Sequence, residues 1–131
     1  MNSKKQKEVK GFSFKRFLNS IKYSLEGLYY AYRNEQSLWI HGVCTLLIIL
    51  LGFLLQISFS EWAIVLIADI VVLAVELLNT AIEAVVDLVT SKIHPLAKVA
   101  KDCGSAASFV SAIVLIIICL FVFIPKIIAL V

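Results

Sequence analysis

An all-α membrane protein is the fold class predicted by three features of this sequence. Hydrophobic residues make up 61% of the 131 positions and charged residues only 16%, where soluble domains carry about 45–50% apolar and about 25% charged residues. Three apolar runs are each long enough to cross the roughly 30 Å hydrocarbon core of a bilayer, which takes about 20 helical residues. Net charge is +3 but unevenly spread: residues 1–37 hold eight bases and three acids, residues 38–87 hold five acids and no Lys or Arg, and residues 88–105 return to +2. Such a chain is neither disordered nor an ordinary soluble domain. Its three cysteines, Cys44, Cys103 and Cys119, are too few for a disulfide scaffold.

Residues 1–11 read as a solvated basic tail, and residues 12–34 as a surface helix. From Phe14 to Tyr32 the apolar residues Phe14, Phe17, Leu18, Ile21, Leu25, Leu28, Tyr29 and Tyr32 recur at spacings of three and four, which makes one apolar stripe on a helix. Lys15, Arg16, Asn19, Lys22 and Glu26 fall elsewhere, so the helix should lie along the membrane surface. It reads either as an anchor to anionic lipid or as a helix whose Arg16, Tyr23 and Arg33 also face a ligand. The spans are predicted at residues 38–59, 62–86 and 106–130, the first two forming a tight antiparallel hairpin. Basic residues precede the first span and fill the connection at 88–105, which by the positive-inside rule makes both segments cytoplasmic and the C-terminus external. No cleaved signal peptide is expected, because an amphipathic segment follows the basic stretch and no small-residue cleavage site precedes the first span.

The second span carries Asp69, Glu76, Asn79, Thr80, Glu83 and Asp87. At about 100° per residue all six fall within about 60° of Glu76, one narrow face. Each carboxylate in a span costs about 2.5–3.5 kcal/mol on insertion scales and generally marks a functional interior. A helix entering at Trp62 reaches Glu76 after roughly 21 Å and Glu83 roughly 10 Å later. Glu83 is thereby predicted at the cytoplasmic boundary, level with Glu35 just before the first span. Two carboxylates from different helices at one height suit a hard divalent cation such as Mg²⁺, which keeps waters and phosphate oxygens as its other ligands. In the following connection Lys98 and Lys101 are suited to holding a polyphosphate, or else only set the topology. There is no Walker sequence, kinase glycine-rich loop or zinc pattern.

The run ELLNTAIEAVVD from Glu76 to Asp87, His94, AKDCGSAA from Ala100 to Ala107, and Arg33-Asn34-Glu35 upstream together resemble the bacterial diacylglycerol kinase and undecaprenol kinase family of small membrane kinases, over nearly the whole chain from Phe14 to Lys126. The resemblance implies a homotrimer in the bacterial cell membrane with composite sites at the cytoplasmic face, transferring the γ-phosphoryl of ATP to a lipid hydroxyl with Mg²⁺, and no nucleic-acid partner. It implies Glu76 as catalytic base, Asn79 as the polar residue that orients the base or the phosphate, and Glu35 and Glu83 as metal ligands. Arg16, Tyr23, Lys92, Ile93, His94, Lys101 and Asp102 correspond to nucleotide-binding positions. His94-Pro95-Leu96-Ala97-Lys98, Glu61-Trp62 and Ile124-Pro125-Lys126-Ile127 look more like undecaprenol kinases, whereas Gly104-Ser105-Ala106-Ala107 is closer to diacylglycerol kinases; undecaprenol is favoured as substrate. Asp69 matches no family role and is expected to bond between helices or to line the lipid pocket. From the acid stripe alone, a proton or cation conduit and a purely structural helical assembly stand as rivals. The stripe offers no relay group from Trp62 to Ala68, which weighs against a conduit.

Overall fold

The computed structural model describes residues 13–130; the basic tail at 1–11 and the first residue of the expected surface helix lie outside that range. Four helices follow in order: α1 Phe14–Asn34, α2 Gln36–Leu54, α3 Phe59–Val89 and α4 Pro95–Ile128. Three of them, α2, α3 and α4, are long and apolar enough to cross a membrane. The all-α expectation holds.

Helix α1 takes up the periodic segment, and Phe14, Phe17, Ile21, Leu25 and Tyr29 of its stripe stay exposed on the chain. A single extended residue, Glu35 at φ −109° and ψ 117°, separates α1 from α2. Tyr32 meets Trp39 edge-on across this break, with ring centroids 6.1 Å apart. Ala31 is buried, and Gly27 and Ala31 face Leu77, Ala81 and Ala84 of α3 across a cavity.

Helix α2 stops at Leu54, five residues before the apolar run ends at Phe59. The reason is local: Gln56 adopts a left-handed conformation at φ 49°, its N–H reaches the Phe53 carbonyl at 3.3 Å, and the Ile57 N–H reaches the Gly52 carbonyl at 3.2 Å. This double bond pattern is a Schellman stop, with the apolar residue after the turn folded in; Ile57 is 6% exposed. Ser58 then caps α3 reciprocally, accepting from the Glu61 N–H while Glu61 accepts from the Ser58 N–H at 2.6 Å. The apolar run does not mark this turn, because Leu55, Ile57 and Phe59 continue it past the helix end.

The connection between the last two helices is also shorter than the expected 88–105. Helix α3 continues to Val89 and α4 begins at Pro95, leaving five residues. His94 accepts the Leu96 N–H at 3.2 Å, and Pro95 occupies the first helical turn, where its missing N–H costs nothing. The sequence marks where a helix enters the apolar phase, not where it starts. Residues 95–105 are therefore helix projecting beyond the apolar segment.

Register follows from the partners. Ser37–Glu76, Thr45–Asp69 and Gly52 against Trp62 have falling numbers on α3 for rising numbers on α2, so the two are antiparallel. Asp87–Lys101 and Glu61–Lys126 do the same for α3 and α4. The core gathers Ile48 and Ile57 with Val65 and Val72 of α3 and Leu115, Val122 and Phe123 of α4. Much of the remaining apolar surface is exposed, including Leu46, Phe53, Ile67 and Phe121, as suits helices in contact with lipid or with other helices.

Candidate active site

The polar face of α3 divides between its two neighbours. Toward α2, the Ser37 hydroxyl donates to Glu76 Oε2 at 2.7 Å. Two turns deeper, the Thr45 hydroxyl donates to both oxygens of Asp69, at 2.9 and 3.1 Å, and His41 Nε2 lies 3.2 Å from Asp69 Oδ1 without hydrogen-bond alignment. Asp69 is thus an interhelical bonding group, 6% exposed. Thr80 spends its hydroxyl on the Glu76 carbonyl of its own helix at 3.0 Å.

Toward α4, Asn79 Nδ2 donates to Glu83 Oε1 at 3.1 Å, one turn along α3. The other side-chain atom, Asn79 Oδ1, is buried without a partner. Gly104 of α4 sits against it, and a Cβ there would overlap that oxygen. Gly104 therefore lets α4 pass close over the Asn79 amide. Beyond Glu83, Asp87 pairs with Lys101 at 2.6 Å, and Lys98 pairs with Asp102 one turn apart on α4.

Two cavities flank this face. One, of 630 Å³, lies between α2, α3 and α4; Ser37, His41 and Glu76 line it on the polar side, and Leu47, Leu115 and Phe123 are among its apolar walls. The other, of 370 Å³, opens where α3 joins α4 and is lined by Lys92, Ile93, His94, Lys98, Lys101 and Asp102, among others. The structure thereby brings together five of the sequence-selected residues, Lys92, Ile93, His94, Lys101 and Asp102. It also joins Asn79 to Glu83. Arg16 and Tyr23 stand exposed on α1 and line neither cavity.

Glu35 is half-buried at the α1–α2 junction. It stands two residues before Ser37, whose hydroxyl reaches Glu76, where the chain passes from α1 into α2. Among the described residues no three of His, Cys, Asp and Glu converge as a metal-binding group. A two-carboxylate arrangement fits a cation that retains waters and phosphate oxygens, as Mg²⁺ does, and not a dedicated all-protein cage.

Chemically, the arrangement offers a carboxylate at the polar edge of an apolar cavity inside the membrane, and a basic cleft further along the same helix. An amphiphile fits the first. An anionic group fits the second.

Residues 22–123 match the family model described as prokaryotic diacylglycerol kinase. The chain belongs to the prokaryotic diacylglycerol kinase family. It is 40% identical over 111 residues to an undecaprenol kinase of Bacillus subtilis, covering 85% of this chain and 90% of that one. It is 45% identical over 101 residues to a diacylglycerol kinase of Pseudomonas aeruginosa, covering 77% and 82%. Against a diacylglycerol kinase of Escherichia coli strain K12 the identity is 38% over 104 residues, covering 79% and 85%. As a member of this family the protein is a membrane-embedded lipid kinase. Of the polar residues that line the two cavities, the sequence reading did not single out Ser37 or His41, and it did not pair Lys101 with Asp87. Ser37 and His41 lie four apart on α2, a spacing that places both on the face turned to Glu76, and this was the available signal.

Proposed function

We propose that this protein transfers the γ-phosphoryl of ATP, with Mg²⁺, to the hydroxyl of a membrane lipid, with undecaprenol as the favoured acceptor. The observation that carries this reading is Glu76 at the polar edge of the 630 Å³ apolar cavity, where a lipid alcohol can present its hydroxyl while its chain stays in the bilayer. Glu76 takes the proton of that hydroxyl, and Asn79, bonded to Glu83, orients the groups around it. Glu35 and Glu83 would hold Mg²⁺, which supplies charge neutralisation on the transferring phosphoryl. Lys92, Ile93, His94, Lys101 and Asp102 receive the nucleotide from the α3–α4 cleft, and Arg16 and Tyr23 approach it from α1. Phosphoryl transfer asks mainly for positioning and electrostatic stabilisation, which these groups can provide without a soluble kinase domain. Two further parts belong to the proposal: a homotrimer that completes each site, and an orientation with the N-terminus and the α3–α4 connection in the cytoplasm and the C-terminus outside.

Undecaprenol suits the aliphatic and aromatic cavity walls, and the Bacillus subtilis relative bears that name. Diacylglycerol is the second reading, and a specific observation favours it. His41 lines the same cavity with its Nδ1 lacking a hydrogen-bond partner, and a glycerolipid would bring ester oxygens to that depth. Transfer of labelled phosphate from Mg²⁺–ATP to undecaprenol and diacylglycerol, at equal mole fraction in mixed micelles, tests both. Faster labelling of undecaprenol is expected, faster labelling of diacylglycerol selects the second reading, and labelling of neither overturns the proposal.

A further inference from the structure

We infer that Ser37 is a positioning residue for Glu76, holding the base and the Glu35 arm in one register through a single hydrogen bond. The inference rests on the reading of Glu76 as the base and adds a residue to it. Ser37 Oγ donates to Glu76 Oε2 at 2.7 Å, a charge-assisted geometry of the stronger class. Both residues are half-buried and line the apolar cavity. A hydroxyl that occupies Oε2 leaves Oε1 to accept from a lipid alcohol, and it restrains the carboxylate from rotating between the two.

The position of Ser37 in the chain extends the effect. It sits in the first turn of α2, two residues beyond Glu35, whose extended backbone breaks the helix. Its bond therefore fixes the height at which the α1–α2 junction meets α3. The other polar contacts between α2 and α3, at Thr45 and His41 with Asp69, centre on a residue two turns from Glu76 along α3 and leave this end to Ser37. Loss of the hydroxyl would free the Glu76 carboxylate and the junction together, while the apolar walls that hold the lipid tail would be untouched.

The test is steady-state lipid phosphorylation by the full-length protein in mixed micelles. Misplacing a reacting group by about 1 Å costs up to about a hundredfold, so Ser37→Ala is expected to lower kcat by about ten- to a hundredfold. The lipid KM should move by less than about threefold, since tail binding is spared. Ser37→Thr, which keeps the donor, should restore most of the rate, and Ser37→Cys, a similar size with a weaker donor, should fall between. If Ser37 acts through Glu76, adding Ser37→Ala to Glu76→Gln costs little more, the non-additivity of coupled residues.

Wild-type kcat in Ser37→Ala, or the same loss in the Glu76→Gln background as in wild type, overturns the inference. So does a gain of one phosphoryl mass on Ser37 after incubation with Mg²⁺–ATP without lipid, because Ser37 would then be an acceptor in its own right. Full activity of Glu76→Gln removes the base reading and this inference with it, whereas an inactive Glu76→Gln beside a fully active Ser37→Ala removes the inference alone.

Discussion

Helix α3 meets α4 and α2 in different ways. Against α4 it packs Val65 and Val72 onto Leu115, Val122 and Phe123, with ion pairs only near the ends, at Glu61–Lys126 and Asp87–Lys101. Against α2 it is held by hydrogen bonds at two levels, Ser37–Glu76 and Thr45–Asp69, and by Trp62 lying over Gly52. The first interface is a frame, built from non-directional contacts that tolerate small shifts. The second is directional, and one of its bonds uses the carboxylate proposed to do the chemistry. The proposed base is thus held where hydrogen bonding sets the geometry, and the proposed nucleotide cleft lies at one end of the packed frame.

The sharpest way to break this contrast is Glu76→Gln. Removing a general base typically costs 10²–10⁴-fold, so lipid phosphorylation should fall by at least about a hundredfold, while the amount of folded protein recovered in detergent stays comparable. A variant retaining full activity would mean that α2–α3 bonding is structural alone. Lys101→Met probes the Asp87 end of the α3–α4 frame; a lost charge-assisted contact to phosphate is worth about tenfold, read as a rise in the KM for ATP with the lipid KM little moved. An unchanged KM for ATP would assign Lys101 to its pair with Asp87 and not to the nucleotide.

Gly104→Ala comes next. Its Cβ would displace the Asn79 amide, the end of a flexible side chain, so the expected result is a rate loss of about fivefold through misplacement, with little loss of stability. Recovery of the lost rate at raised Mg²⁺ would point to Glu83, Asn79's partner, as the group disturbed. Asp69→Leu should act on stability instead. Interhelical hydrogen bonds in membranes average about 0.6 kcal/mol, and stranding the Thr45 hydroxyl adds to this, so denaturation in detergent should report about 1–2 kcal/mol. The smallest effect belongs to Lys126→Met at the Glu61 end of the frame, where a partly exposed ion pair contributes little because solvent screens it. A loss larger than that of Asp69→Leu would reverse the ranking of the two interfaces.

Much of the fold was legible from local pattern. The three long apolar helices, the amphipathic helix α1 and the single polar face of α3 all follow from hydropathy and the 3.6-residue period, because each concerns neighbours along one helix. Boundaries were less legible. The stop after Leu54 depends on Gln56 taking a left-handed conformation, for which Gln carries no strong signal, and Pro95 marked the start of α4 more accurately than hydropathy did. Among candidate site residues, Glu76, Asn79 and Glu83 stood out because acids and amides are expensive in a span. Ser37 did not, since a serine near a helix start usually reads as a capping residue.

The sequence by itself determined that this chain is a helical membrane protein of the diacylglycerol kinase type, and which face of α3 carries its polar groups. Only the tertiary structure decided what those groups touch: Ser37 on Glu76, Thr45 and His41 beside Asp69, Gly104 over Asn79, and Lys101 on Asp87. Periodicity fixes the direction of a side chain around its own axis, because one turn constrains the next. The partner across an interface depends on the register between helices, set jointly by the Schellman stop, the five-residue connection and the packing of the core, and no single segment contains that information.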